Sequence, residues 1–105
     1  MTPTAASLIR RDALRVHRAE IDALLKTYGA TAPRVFGSTA RGTASAGSDV
    51  DLLVDLGTGI GNPLLRIAGL SQGLSDLLGM HVDFVAPELL RDGVSDEALA
   101  DASPL

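Results

Sequence analysis

A chain of 105 residues with a formal net charge of −4 and no cysteine is sized for one domain, residues 1–105, around one core. The missing cysteines exclude a disulfide framework and a thiolate metal site, and the acidic balance argues against a large or sequence-specific nucleic-acid footprint, which needs clustered Lys and Arg. No apolar run approaches the roughly 20 residues of a membrane span, and no apolar core follows Arg10-Arg11 as in a signal peptide, so a cytoplasmic protein is expected.

Met1 to Ala6 is expected to fray, with Ser7 as a helix N-cap. From Leu8 the pattern is helical: Leu14, Ile21, Leu25 and Tyr28 share one face at spacings of seven, four and three. Gly29 supplies a left-handed stop. Arg10, Arg11, Arg15 and Arg18 lie on this first helix, largely off the apolar face. A solvated face is the plain reading; a docking surface for an acidic partner or for phosphates is the sharper one.

Pro33 to Phe36 forms a first short strand, ended by Gly37-Ser38. Thr39 to Gly42 makes one helical turn, and Thr43 to Ser48 is a loop of small residues. Asp49 to Leu56 alternates as a second strand. Val50, Leu52, Val54 and Leu56 point one way, and Asp49, Asp51, Leu53 and Asp55 the other. Gly57 to Gly61 is a connector whose spacing does not fit the dinucleotide fingerprint. Asn62-Pro63 gives an N-cap and a first-turn proline. A helix over Leu64–Leu78 follows, with Leu64, Ile67, Ser71, Leu74 and Leu78 down one stripe and Gly79 as its stop. Gly69 and Gly73 inside it, each costing about 1 kcal/mol relative to Ala, imply a close backbone approach, within the fold or to another subunit. His81 to Val85 is a third strand, with Val82 and Phe84 towards the core and Asp83 opposite. Pro87 to Leu90 is a turn of helix, and Ser95 caps a weak terminal helix with Asp96 and Glu97 in its first turn.

The chemistry gathers between Val35 and Leu56. Asp49 and Asp51, at i and i+2 on a strand, project to the same side. Two like charges about 5 Å apart repel by about 3 kcal/mol at an effective dielectric of 20, so the pair calls for a counter-charge. Mg²⁺ is the natural one, since it takes carboxylate oxygens and shares its other positions with phosphates and water. Asp83, on a neighbouring strand and pointing the same way, completes a triad able to hold two ions, which together clamp an in-line displacement at phosphorus. Gly37 lets a phosphate approach the backbone N–H groups, Ser38 adds a hydroxyl, and Arg41 offers a forked contact. His17 is expected on the helix surface and His81 at a strand start near the site, neither with a catalytic role; Tyr28 is expected in the core.

Gly37-Ser38-Thr39-Ala40-Arg41-Gly42, followed by Ser48-Asp49-Val50-Asp51-Leu52-Leu53-Val54, resembles the motif of the nucleotidyltransferase superfamily related to DNA polymerase β. Chain length and the Arg-Gly pair resemble its minimal nucleotidyltransferases, the MNT or MntA-like antitoxin family. The resemblance runs from the first helix to the Asp83 strand, and every motif position matches. It implies an α+β fold, a small mixed sheet with helices packed on one face. It implies that Asp49 and Asp51 bind Mg²⁺-triphosphate, that Asp83 helps activate an acceptor hydroxyl, and that Gly37 and Ser38 hold the triphosphate. It also implies a partner, a HEPN-domain ribonuclease toxin, whose tyrosine receives AMP from ATP and which is thereby silenced.

The larger relatives carry an acceptor-gripping C-terminal domain for which 105 residues leave no room. Base recognition is therefore expected from a second copy, a partner or a very small pocket, and an obligate partner, in a homo- or hetero-oligomer, is expected. Two other readings stand beside protein adenylylation: an antitoxin that neutralises by binding alone, and nucleotidyl transfer to a small-molecule hydroxyl.

Overall fold

The computed structural model describes residues 2–57, 61–89 and 102–105. Helices α1 (Ala5–Val16) and α2 (Arg18–Tyr28) lead into strand β1 (Thr31–Phe36), the short helix α3 (Gly37–Arg41) and strand β2 (Val50–Asp55). Helix α4 (Pro63–Leu78) crosses to strand β3 (Val82–Val85), a 3-10 turn spans Pro87–Leu89, and a two-residue strand β4 (Ser103–Pro104) follows. The sheet order is β3-β2-β1-β4. The β2–β3 pair is parallel and the other two pairs antiparallel, so the sheet is mixed. The strand β4 has no counterpart in the sequence reading, and the predicted helix at Ser95 lies outside the described residues.

One face of the sheet makes the core. Val35, Leu52, Val54, Val82 and Phe84 meet Leu14, Ile21, Leu25, Leu70 and Leu74 from α1, α2 and α4, with Tyr28 partly buried alongside. The i, i+2 alternation thus sends β2's aliphatic residues to the helices and its carboxylates to the other side. Leu53 lies on the carboxylate side yet is fully buried, in register with Val85.

The N-terminus departs from expectation in two ways. Thr4, not Ser7, is the N-cap, its Oγ1 accepting from Ser7 N. Residues expected to fray are instead stapled to the loop before β2: Thr4 N donates to Gly42 O, Thr4 Oγ1 to Ala44 O, and Ala44 N to Ser7 Oγ. The single predicted helix is also two helices, broken at His17, where φ is −97° and ψ is 18°. The break lets α1 follow α3 and the loop while α2 lies against α4.

Helix α4 buries Arg66, Leu70 and Leu74, whereas Leu64, expected on its apolar stripe, is exposed. The stripe is shifted because Arg66 turns inward to donate to Tyr28 O, Gly29 O and Leu56 O. Those carbonyls end α2 and β2, where unsatisfied acceptors and the helix dipole favour a cation. The glycine pair makes its close approach inside the fold. A methyl on Gly69 would lie 2.5 Å from the Tyr28 ring, and one on Gly73 3.2 Å from Leu24. The outer edge of β3 is covered by α4 as well, for Ser75 Oγ accepts from Val82 N and Ser71 Oγ from Phe84 N. A helix hydroxyl ladder thus satisfies an edge strand that would otherwise template pairing with another chain.

Candidate active site

Strand pairing sets the site. The parallel register puts Asp51 opposite Asp83 and Val50 opposite Val82, and Val50 N donates to His81 O at 3.0 Å. Asp49 and His81 are therefore neighbours one residue before the ladder. On the other flank Phe36 pairs with Asp51, which brings the Gly37 bend directly over the Asp51 carboxylate. Gly37 has φ of 71°, and a methyl there would lie 2.7 Å from Asp51 Oδ2. Any other residue there would meet a left-handed backbone that favours glycine and would push the Asp51 carboxylate aside.

The bend opens α3, whose exit is fixed by Gly42 at φ 80°. Thr43 N and Gly42 N donate back to Ser38 O and Thr39 O, a Schellman-type close. Arg11 donates to Thr39 O and Ala40 O. Arg10, buried, donates to Ala46 O and Ser48 O across the loop and to Ala6 O in its own helix. Two of the arginines expected on a solvated or docking face thus hold the segment that delivers Asp49. Arg15 and Arg18 pair with Asp12 and Asp22 on the surface. With Arg11, Leu14, Val35, Pro104 and Leu105 they also line a recess of about 160 Å³ that includes none of the aspartates of the site.

Burial, then the Asp83 and Asp49 carboxylates, push the Asp51 carboxyl above its ordinary value, against the opposing pull of His81 and Arg41. Asp51 is thus within electrostatic reach of both other aspartates and of Arg41. Ser38, half-buried, is the second residue of α3.

His81 is the residue the sequence reading set aside. Its Nδ1 lies 3.1 Å from Asp49 Oδ1 and 3.7 Å from Asp83 Oδ2. Among the described residues, Asp49, His81 and Asp83 form the group whose donor atoms all fall within 4.8 Å of one another. Asp51 stands beside that group, not in it. His81 stands two residues before Asp83, just ahead of β3, but only the β2–β3 register sets it beside Asp49.

The donor set suits a hard divalent cation. Three carboxylates share one side of the sheet, and a bound cation would offset both the burial and the mutual repulsion that raise Asp51.

Comparison with known proteins places the chain in a family. A family model described as "Nucleotidyltransferase domain" matches residues 17–103. Protein adenylyltransferase MntA of Thermococcus cleftensis is 36% identical over 88 residues, covering 84% of each chain. A protein of Methanocaldococcus jannaschii, named as a candidate protein adenylyltransferase, is 35% identical over 88 residues, 80% of this chain and 91% of its own. A solved structure described as a candidate minimal nucleotidyltransferase superposes with a TM-score of 0.74 at 40% identity, covering 90% of this chain and 94% of the other. A chain from a crystal structure of a toxin–antitoxin pair with AMP-PNP shares the fold, with a TM-score of 0.66 at 23% identity over 82% of this chain and 69% of its own. With the motif, the register and these relatives in agreement, the chain belongs to the minimal, MntA-like nucleotidyltransferases.

Proposed function

We propose that this nucleotidyltransferase transfers AMP from ATP to a tyrosine hydroxyl of a HEPN-type toxin encoded beside it, and so acts as the antitoxin of the pair. The observation that carries the reading is the registered Asp51–Asp83 pair beneath a left-handed glycine bend that closes on the Asp51 carboxylate. Relatives named as protein adenylyltransferases and a fold neighbour from a toxin–antitoxin structure support the acceptor class.

In this reading Asp49, Asp51 and Asp83 would hold Mg²⁺, one ion or two. The backbone N–H groups at Gly37 and Ser38 and the Ser38 hydroxyl receive the triphosphate, and Arg41 takes a phosphate oxygen or steadies the acceptor. Bound metal would neutralise phosphate charge and polarise the α-phosphoryl group. The tyrosine oxygen attacks the α-phosphorus in line, and the bond from that phosphorus to the β-bridging oxygen breaks. Pyrophosphate leaves with that electron pair, and the hydroxyl proton passes to the Asp83 carboxylate and on to solvent. The partner completes the pocket for base and acceptor. The exposed apolar side chains Leu8, Ile9 and Val16 on α1 are consistent with a protein that works against another.

ATP labelled at the α-phosphate, Mg²⁺, the chain and the neighbouring gene's product test the reading together. Label is expected on a partner tyrosine and none with Asp49→Asn of unchanged circular dichroism. An unlabelled partner with folded protein and metal present overturns it. Protection of cells by Asp49→Asn would instead assign neutralisation to binding alone.

A further inference from the structure

We propose that Asp49, His81 and Asp83 form a zinc site that shares two carboxylates with the transfer reaction, so that zinc capture and nucleotidyl transfer exclude each other.

Zinc accepts imidazole nitrogen and carboxylate oxygen at about 2.0–2.1 Å in tetrahedral sites, and its reactive sites keep three protein ligands with one position open. Those bond lengths set an edge between neighbouring donors of about 3.3 Å. The His81 Nδ1 separations, 3.1 Å to Asp49 and 3.7 Å to Asp83, bracket that edge.

Strand pairing sets the three residues side by side. Asp83 stands in the β2–β3 ladder, and the Val50 N to His81 O bond fixes the step before it. The His81–aspartate contacts lie at the surface, where an ion pair is worth about 0–1 kcal/mol, so an entering ion displaces them at little cost. Imidazole also changes which ion wins. Mg²⁺ prefers oxygen and gives up water reluctantly, whereas first-row dications such as Zn²⁺ gain from nitrogen. His81 is 64% exposed at its side chain, so an ion reaches it without opening the fold. Zinc bound there would take Asp49 and Asp83 from the reaction, with Asp51 left outside the trio.

Calorimetric titration of the nucleotide-free chain with Zn²⁺ and with Mg²⁺ tests the capture, which does not depend on the acceptor assigned above. One Zn²⁺ per chain is expected, bound at least 100-fold more tightly than Mg²⁺. His81→Ala and His81→Asn should each lose at least tenfold in Zn²⁺ affinity and change Mg²⁺ affinity less than threefold. The chain has two histidines, so His17→Ala serves as control and should bind Zn²⁺ as the parent does. Co²⁺ should give the strong visible absorption of a four- or five-coordinate ion in the parent and lose it in His81→Ala. Equal Zn²⁺ affinity in the parent and His81→Ala overturns the site. Transfer assayed under Mg²⁺ should be inhibited by Zn²⁺ at least tenfold more readily in the parent than in His81→Ala; equal inhibition overturns the exclusion. If zinc binding needs His81 while no partner is labelled, the site stands and the proposed function falls.

Discussion

At Gly37 a left-handed backbone and a carboxylate 2.7 Å from the missing methyl act together. Gly37→Ala is expected to cost about 1–3 kcal/mol from the φ alone, and to displace Asp51 whatever the stability cost. Urea denaturation and Mg²⁺ binding should both register the change. Asp51 makes the opposite prediction. Its carboxyl is raised by burial and by Asp83 and Asp49, so the protonated form suits the fold better than the ionised one. The stability this group lends to metal-free protein is present below its unfolded-state pKa and is lost as pH rises through the higher folded-state value. Asp51→Asn, which stays neutral, should therefore melt at a higher temperature than the parent at pH 7. The difference should shrink as the pH is lowered past the carboxylate range. Thermal melts of both proteins without metal check this, and a lower melting temperature for the variant at pH 7 would contradict it. A site that loosens its own fold to gather charge is the expected trade of function against stability. His81 shows why part of the site was not legible in the sequence: a histidine at a strand start carries no meaning until the register sets it beside Asp49.

At the scale of elements, what could be read was what alternates or stops. The i, i+2 pattern of β2 separated aliphatic from acidic residues correctly, and Gly29 and Gly79 end their helices in the left-handed conformation. What could not be read was which polar residues turn inward. Arg66 and Arg10 look like surface cations in the sequence, yet they are 7% and 8% exposed and bridge main-chain carbonyls far away in the chain. Their inward turn moved the α4 stripe and, with Thr4 and Ser7, fixed α1 on the loop at the cost of a continuous helix. Periodicity carries no information about such long-range bonds. Arg66→Leu is expected to destabilise by about 2–4 kcal/mol, since three carbonyls lose a charged donor in a buried setting. Lys should not restore it, because a single ammonium cannot reproduce the fork. Arg10→Lys tests a subtler role. It touches none of the proposed reacting groups, but its bonds to Ala46 O and Ser48 O precede Asp49. Weaker Mg²⁺ binding with retained helix content is the expected outcome, and unchanged Mg²⁺ binding would assign Arg10 to stability alone.

At the scale of the whole molecule, among the described residues, α1, α2 and α4 pack on one face of the sheet, and the carboxylates of the site stand on the other, beside the buried Leu53. Among the described residues, no helix is long and apolar enough to cross a membrane. A chain of 105 residues has little core in reserve, so ligand binding should weigh heavily in its stability. A ligand that binds only the folded state adds about 2.7 kcal/mol at one hundred times its Kd, and for a domain of this size that corresponds to a rise of about 10 °C or more in Tm. ATP with Mg²⁺ should therefore raise the melting temperature by that order, and neither alone should match it if metal and triphosphate share the carboxylates. Asp49→Asn should melt as the parent does without ligand and lose most of the rise, because it removes a donor without disturbing the core beneath. A rise that persists in Asp49→Asn would place the nucleotide elsewhere, with the arginine-lined recess between α1, α2 and β4 the first place to look. Substituting Arg15 there would then abolish the residual rise, whereas the proposed site predicts that it changes nothing.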